Sequence, residues 1–504
     1  MSRPVEFAAD SWNSLVPARA RAAQNGCIMN PVTRRNFLKT SAMAGIGGLV
    51  LPRFAAAAYP IVPGERPKQA RSVSILNPYG QVPVSFIIDD STTLVNMGHF
   101  CLPQFAEAWS STKGPERFNV PWRTWPKEIP DSFVREFGEF CREQGVKGKY
   151  SIVPYPACVG WIDRVLPGWS RSELRDSLKL VRDFMMPDWD IHPEMISHTR
   201  VIDLKTGRPL PQKTDGGYWM ENGGWCEGKS ADEIGDYIAY ALQILKNVDL
   251  PCEGFTTPGG FGSPAMENLE IGGMQALRSV FKVEVPHYFK YVASGSDEST
   301  LPQVEFASGI NTDSPDFIVN IPSCTGDWFG DWHGGNPGPM DEVVDRHITA
   351  DFQQGRMVEV IRKGEPACFL THWPNMYANG AGQNFKSFQA IVKRINAAYG
   401  DRIRWMKLSE IARYWAAKEL TAIEHVGNSV TLNAPVGTTG FMLKIDTPGN
   451  AMPRIVAGPA NTLDQMKEAK QTRGPLSSGE WRHSKTGIEL CIELRKGKSV
   501  LQLS

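Results

Sequence analysis

Val82-Pro83-Val84-Ser85-Phe86-Ile87-Ile88-Asp89-Asp90 is an apolar run that stops on two carboxylates. A short apolar run rich in β-branched and aromatic residues predicts a strand covered on both faces. Similar runs follow at 149–153, at a stretch ending near Trp189, and at 251–256, 317–321, 366–371 and 402–406. Helix-length patterns separate them, at 132–144, 170–186, 230–247, 262–281, 340–363 and 384–399. Phe133, Phe137 and Phe140 recur at helical spacing. Ser170 with Glu173, and Ser230 with Glu233, carry the pattern of a capping box, in which each side chain satisfies a free backbone N–H of the first turn. Strand and helix alternating over 81–415 predict a parallel sheet of the α/β class. This many units predict a (β/α) barrel, closed or distorted, with seven strands.

The pattern changes after about Lys418. Residues 430–432, 441–445, 488–494 and 499–503 are short and apolar or alternating, with one helical stretch expected at 462–470. This predicts a small C-terminal β-sandwich-like domain. The other end of the chain reads as a leader. Met29 precedes Thr33-Arg34-Arg35-Asn36-Phe37-Leu38-Lys39, an apolar run at 42–51 and four alanines at 55–58. A charged start, an apolar middle and a small-residue end resemble a twin-arginine signal peptide. The expected division is therefore a leader at 1–58, a barrel at 59–418 and a β domain at 419–504. The expected destination is the periplasm or the exterior, through the twin-arginine export machinery. No later segment is apolar for long enough to span a membrane.

Bulk composition excludes some partners. Lys+Arg and Asp+Glu both number 54, so nothing points to nucleic acid or an anionic membrane. No Cys-x-x-Cys pair occurs, which argues against a zinc ribbon or a thioredoxin motif; buried thiols are the expectation, with one or two disulfides open. Two loop-rich insertions, 205–228 and 324–339, carry tryptophans and glycines. Long loops in a compact domain are usually functional.

In a parallel barrel the reactive residues sit where strands end. Asp89 and Asp90 follow the first strand; Asp190, His192, Glu194 and His198 follow the run near Trp189. Thr256-Thr257-Pro258-Gly259-Gly260 follows another strand, and His372 a further one. Acidic and imidazole groups at successive strand ends suit a divalent metal, which needs about three protein ligands and room for water.

These motifs resemble the polysaccharide deacetylases. Asp89-Asp90 matches the family's aspartate pair, which implies Asp89 as general base and Asp90 as metal ligand. Glu194-Met195-Ile196-Ser197-His198-Thr199 matches the glutamate, first histidine and threonine of its metal motif; the second histidine is replaced by Ile202. The resemblance implies His198 as a ligand, with Glu194 supplying the missing one and His192 as its rival. Glu194 and His198 would share a side if the turn between them is helical. The family's arginine, which holds the base aspartate, is replaced by Thr256, while Leu370-Thr371-His372 is intact and implies His372 as general acid.

The implied function is removal of acetyl groups, as amide or ester, from a carbohydrate, with zinc or another divalent metal as cofactor. Thr257, Pro258, Gly259, Trp328 and Trp373 are the expected substrate contacts, the tryptophans as platforms for sugar rings. Two rivals remain open: a carbohydrate-binding protein without activity, favoured by the lost arginine and histidine, and a hydrolase of another C–N amide bond.

Overall fold

Eight parallel strands carry the region that ends in carboxylates and imidazoles: β1 (Val82–Asp89), β2 (Gly148–Ile152), β3 (Trp189–Pro193), β4 (Gly254–Thr256), β5 (His287–Phe289), β6 (Asp316–Asn320), β7 (Ala367–His372) and β8 (Ile403–Trp405). They belong to a computed structural model that describes residues 64–503 except 111–117, 119, 212–218, 331–337, 448–451 and 458–463. The leader and its twin arginines lie outside the described residues.

The strands form two sheets. One has the order β7-β1-β2-β3, with β8 also paired to β1; the other runs β4-β5-β6 and ends on Gln303–Ser308, antiparallel to β6. A parallel bridge between Glu194 and Thr256 links the ends of β3 and β4. At the other edge, the Cys324 backbone N–H donates to the Cys368 carbonyl, beyond β6 and inside β7 (2.5 Å). The fold is mixed α/β, with helices between successive strands except β5 and β6, which the strand Gln303–Ser308 separates.

Because successive strand residues face opposite sides, β1 divides its side chains between two cores. Phe86 and Ile88 join the cluster that packs under the helices, with Tyr150, Trp189 and Phe388. Ile87 joins a second cluster with Phe289, Val319 and Leu370 on the opposite face. Asp89 is one alternation beyond Ile87, so its carboxylate points to that inner face.

The inner cluster continues along helix Leu408–Leu420 into two five-stranded sheets built mostly from the C-terminal region. One holds Ala422–Val426, Ser429–Ala434 and Gly497–Leu503; the other holds Thr438–Asp446, Gly487–Leu494 and Glu480–His483. Val73–Ile75, from the start of the described chain, pairs antiparallel with Thr438–Asp446 in the second sheet.

Several expectations need correction. Met340–His347 and Arg356–Lys363 are two helices, not one; the chain between them passes through Gly355 at φ 105°. The helix expected at 462–470 is replaced, where described, by the short strands Asp464–Gln465 and Lys467–Glu468. Helix Met97–Ala108 and strand His287–Phe289 were not anticipated. Both capping boxes form, at Ser170 with Glu173 and Ser230 with Glu233. All eight cysteines among the described residues are free thiols, and all but Cys158 are fully buried. No helix among them is long and apolar enough to cross a membrane.

Candidate metal centre

At the tip of β1 the backbone turns into the left-handed region at Asp90 (φ 55°). The Asp90 N–H donates to Glu194 Oε2 (2.8 Å), which ties the ends of β1 and β3 together. His198 reaches the same point: its Nε2 lies 2.5 Å from Asp90 Oδ1 and 3.4 Å from Glu194 Oε1. One ligand atom each from Asp90, Glu194 and His198 falls within 4.8 Å of the others, and all three side chains are buried. Their convergence does not use a helical turn. Met195 and His198 have φ of 44° and 62°, so the chain bends sharply between Glu194 and His198.

A second carboxylate holds that bend. Glu221, buried, accepts from the backbone N–H groups of Ile196 (3.2 Å), Ser197 (3.0 Å) and His198 (2.5 Å), and from the Tyr237 hydroxyl (2.5 Å). Burial pushes the Glu221 carboxyl up to about 7, against the pull of these donors. Left-handed backbone at a non-glycine residue is costly and persists where the surroundings enforce it; Glu221 supplies that enforcement around His198.

Asp89 sits on the other side. Its Oδ1 accepts from the ammonium of Lys149 and from Ser151 Oγ (3.0 Å), both on β2. Burial raises the Asp89 carboxyl to about 6, with Lys149 opposing the rise. His372, at the tip of β7, is the third wall. Its Nε2 lies 3.8 Å from Asp90 Oδ2, and its Nδ1–H donates to Asp327 Oδ2 (2.5 Å). Asp327 is fixed in turn by Thr371 Oγ1 (3.0 Å) and by the Asn375 amide. Burial works against the His372 cation, but the charges of Asp90 and Asp327 outweigh it and hold the ring protonated up to about 10.

The donor set fits a divalent cation. Two carboxylates and one imidazole are the oxygen and nitrogen ligands that such ions take.

The remaining expected residues divide. His192 does not enter the centre. Its Nε2 shares a hydrogen bond with His287 Nε2 (2.9 Å), and its Nδ1 faces Thr256 Oγ1 (3.3 Å), one alternation below the strand tip. Thr257 and Pro258 are buried beside the Glu194–Thr256 bridge, where Gly259 turns at φ 42°; the Gly259 and Phe261 carbonyls accept from Lys290. The Thr257 hydroxyl has no partner among the described residues. Trp328 is half-buried next to Asp327, edge-on to His347. Trp373 is not a platform: it is 1% exposed and packs on Phe133, Phe137 and Tyr150. Trp219 is likewise core. Lys149, Glu221 and Asp327 were not anticipated. The inward alternation of Lys149 and Ser151 within one strand was the available signal for the first.

No protein-family model matches the chain, and no curated protein matches it. Solved structures similar to it include polysaccharide deacetylase-like proteins. They include a provisionally named polysaccharide deacetylase from Mycobacterium smegmatis, at 11% identity over 73% of this chain and 99% of that one, with a TM-score of 0.38. A family 4 carbohydrate esterase from Streptomyces lividans, solved with acetate, is 10% identical over 54% and 84%, with a TM-score of 0.25. A pseudoenzyme of that family from Bacillus anthracis is 10% identical over 67% and 68%, with a TM-score of 0.28.

Proposed function

We propose that this chain is a metal-dependent hydrolase that removes acetyl groups from a carbohydrate. The observation that carries the reading is the meeting of Asp90, Glu194 and His198 at one point, flanked by Asp89 on one side and the Asp327–His372 pair on the other. The two sheets of parallel strands are read as a distorted seven-stranded barrel, with β8 as an addition to β1. The C-terminal sheets are read as a β-sandwich behind it.

Asp90, Glu194 and His198 would hold a divalent cation, zinc by its preference for such ligands, which supplies Lewis acidity toward water and the substrate carbonyl. Asp89 takes a proton from the attacking water, whose electron pair forms the new C–O bond. His372, kept protonated by Asp90 and Asp327, gives a proton to the departing nitrogen or oxygen as the acyl bond breaks. Asp327 fixes the tautomer and direction of the His372 ring. Glu221 fixes the loop that presents His198. Thr257, which directly follows β4, is read as a substrate contact, with Pro258 and Gly259 shaping the turn and Trp328, next to Asp327 in the chain, as a further one.

The twin-arginine pattern makes the periplasm or the exterior the proposed location; a reporter fused after residue 58 tests that part separately. For the chemistry, metal content by elemental analysis is combined with acetate release from N- and O-acetylated glycans. One divalent ion per chain and acetate release that Asp89→Asn lowers by about 10³-fold support the reading. Bound metal without acetate release from any glycan or simple acetamide overturns it in favour of a carbohydrate-binding protein. Release from amides other than acetyl redirects it to another C–N bond.

A further inference from the structure

Lys149 is a cation in the centre whose placement the metal reading does not require. Its side chain is completely buried in the middle of β2, on the inner face. A buried ammonium is costly unless it is paired and hydrogen-bonded. Lys149 meets both conditions, and it does so through Asp89. Its Nζ donates to Asp89 Oδ1 and to Ser151 Oγ (2.6 Å), while Ser151 Oγ donates to that same Oδ1 (3.0 Å). The Phe289 ring lies over the ammonium at 5.4 Å and closes its remaining side. Both donors converge on one oxygen of Asp89. No hydrogen bond among the described residues goes to the other.

Strand register sets this up. Lys149 pairs with Ile87, so its inward side chain lies beside the next inward residue of β1, which is Asp89. The strands run close here: a side chain at Gly148 would collide with the Phe86 carbonyl.

We propose that Lys149 is a positioning residue for the reaction. It clamps Oδ1 of Asp89 so that Oδ2 alone is presented to the water that loses a proton. Thr256 leaves no cation on β4 for this purpose, and Lys149 provides it from β2. The inference rests on the functional reading of Asp89 given above.

The test is a double-mutant cycle on the metal-loaded full chain, with Lys149→Met and Asp89→Asn singly and together. Lys149→Met is expected to lower kcat by roughly 10²-fold through misplacement of the base, with KM within about threefold of wild type. In the Asp89→Asn background the same substitution is expected to change kcat by less than about twofold, because its effect passes through Asp89. Metal affinity stays within about threefold throughout. The same cycle read by thermal unfolding does not depend on turnover. Loss of Lys149 should lower the melting temperature by several degrees beside Asp89, and by little beside asparagine. Equal losses in both backgrounds, in kcat or in melting temperature, overturn the proposal, as does a Lys149→Met kcat within threefold of wild type. Wild-type turnover and its loss in Asp89→Asn test the functional reading alone, so the two failures are distinguishable. If Lys149→Met does not fold alone, the doubly substituted chain, with both charges removed, is expected to fold. Failure of both to fold overturns the proposal, because Lys149 then serves the fold independently of Asp89.

Discussion

Two histidines on the same short stretch of chain meet opposite environments. His198 lies among carboxylates at the strand tips. Burial works against its cation, but Asp90 and Glu194 prevail and hold it well above the usual imidazole range. His192 lies deeper between the strands, against His287 and Thr256. Burial, the neighbouring His287 and Lys149 hold it well below that range. The side chains are identical, and both are inaccessible to water. What separates the proposed ligand from a structural ring is the charge that converges on it, and part of that charge, from Asp90, comes from far away in the chain.

The strongest way to break this contrast is to remove a member of each site. Asp90→Ala should lower zinc affinity by about three orders of magnitude and abolish acetate release. His192→Asn should leave zinc affinity within a few-fold and reduce only stability. Titration calorimetry on both variants decides; an equal loss of zinc by His192→Asn would place both rings in one site.

The neutral class of histidine predicts a pH dependence of stability. His347 is fully buried against Phe329, with Nδ1 facing the Val343 carbonyl (2.9 Å), and burial pushes its pKa down to about 4. Unfolded, the ring takes a proton near pH 6.5. Between those values the unfolded chain binds more protons than the folded one. Stability therefore falls as pH drops from about 6.5 to about 4, by about 3 kcal/mol for this residue. Urea midpoints across that range should show the slope, and His347→Phe should flatten it.

The smallest effect sharpens the comparison at the ligand site itself. Glu221→Gln keeps the size of the side chain but loses acceptor capacity under the 196–198 backbone. Zinc affinity should fall by about tenfold, with the fold intact by circular dichroism. No change would mean that the bend at His198 is set without Glu221.

How much of this was legible depended on distance along the chain. Seven of the parallel strands could be read because each is a local apolar run between helix patterns. Strand His287–Phe289 was missed because three residues give no periodicity, and helix Met97–Ala108 because Pro103 interrupts it and its polar face is weak. Asp89, Asp90, His198 and His372 could be found because each stands at a strand end in a recognisable spacing. Glu194 and His192 were inseparable by sequence, since only the left-handed turn at His198 and the bridge from Glu194 to Thr256 decide which one reaches Asp90. Lys149, Glu221 and Asp327 act on partners contributed by other strands and loops. No local pattern marks a cation for a carboxylate one strand away, or a carboxylate for three N–H groups of a distant bend. Trp373 was misread because its place beside His372 suggested the mouth, whereas its ring turns back under Phe133 and Phe137.

The pairing of Val73–Ile75 with Thr438–Asp446 has a consequence for how the molecule is made. The Ala70 N–H also donates to the Ile423 carbonyl (2.9 Å), so the opening of the described chain is laced to its last region at two places. During synthesis that strand has no partner until Thr438–Asp446 has left the ribosome. Its backbone groups wait in solvent while the parallel strands assemble, and the final sheet closes around it as a late, long-range step. A chain cut short before Asp446 would keep Asp90, Glu194 and His198 yet leave this strand an open edge, a template for aggregation.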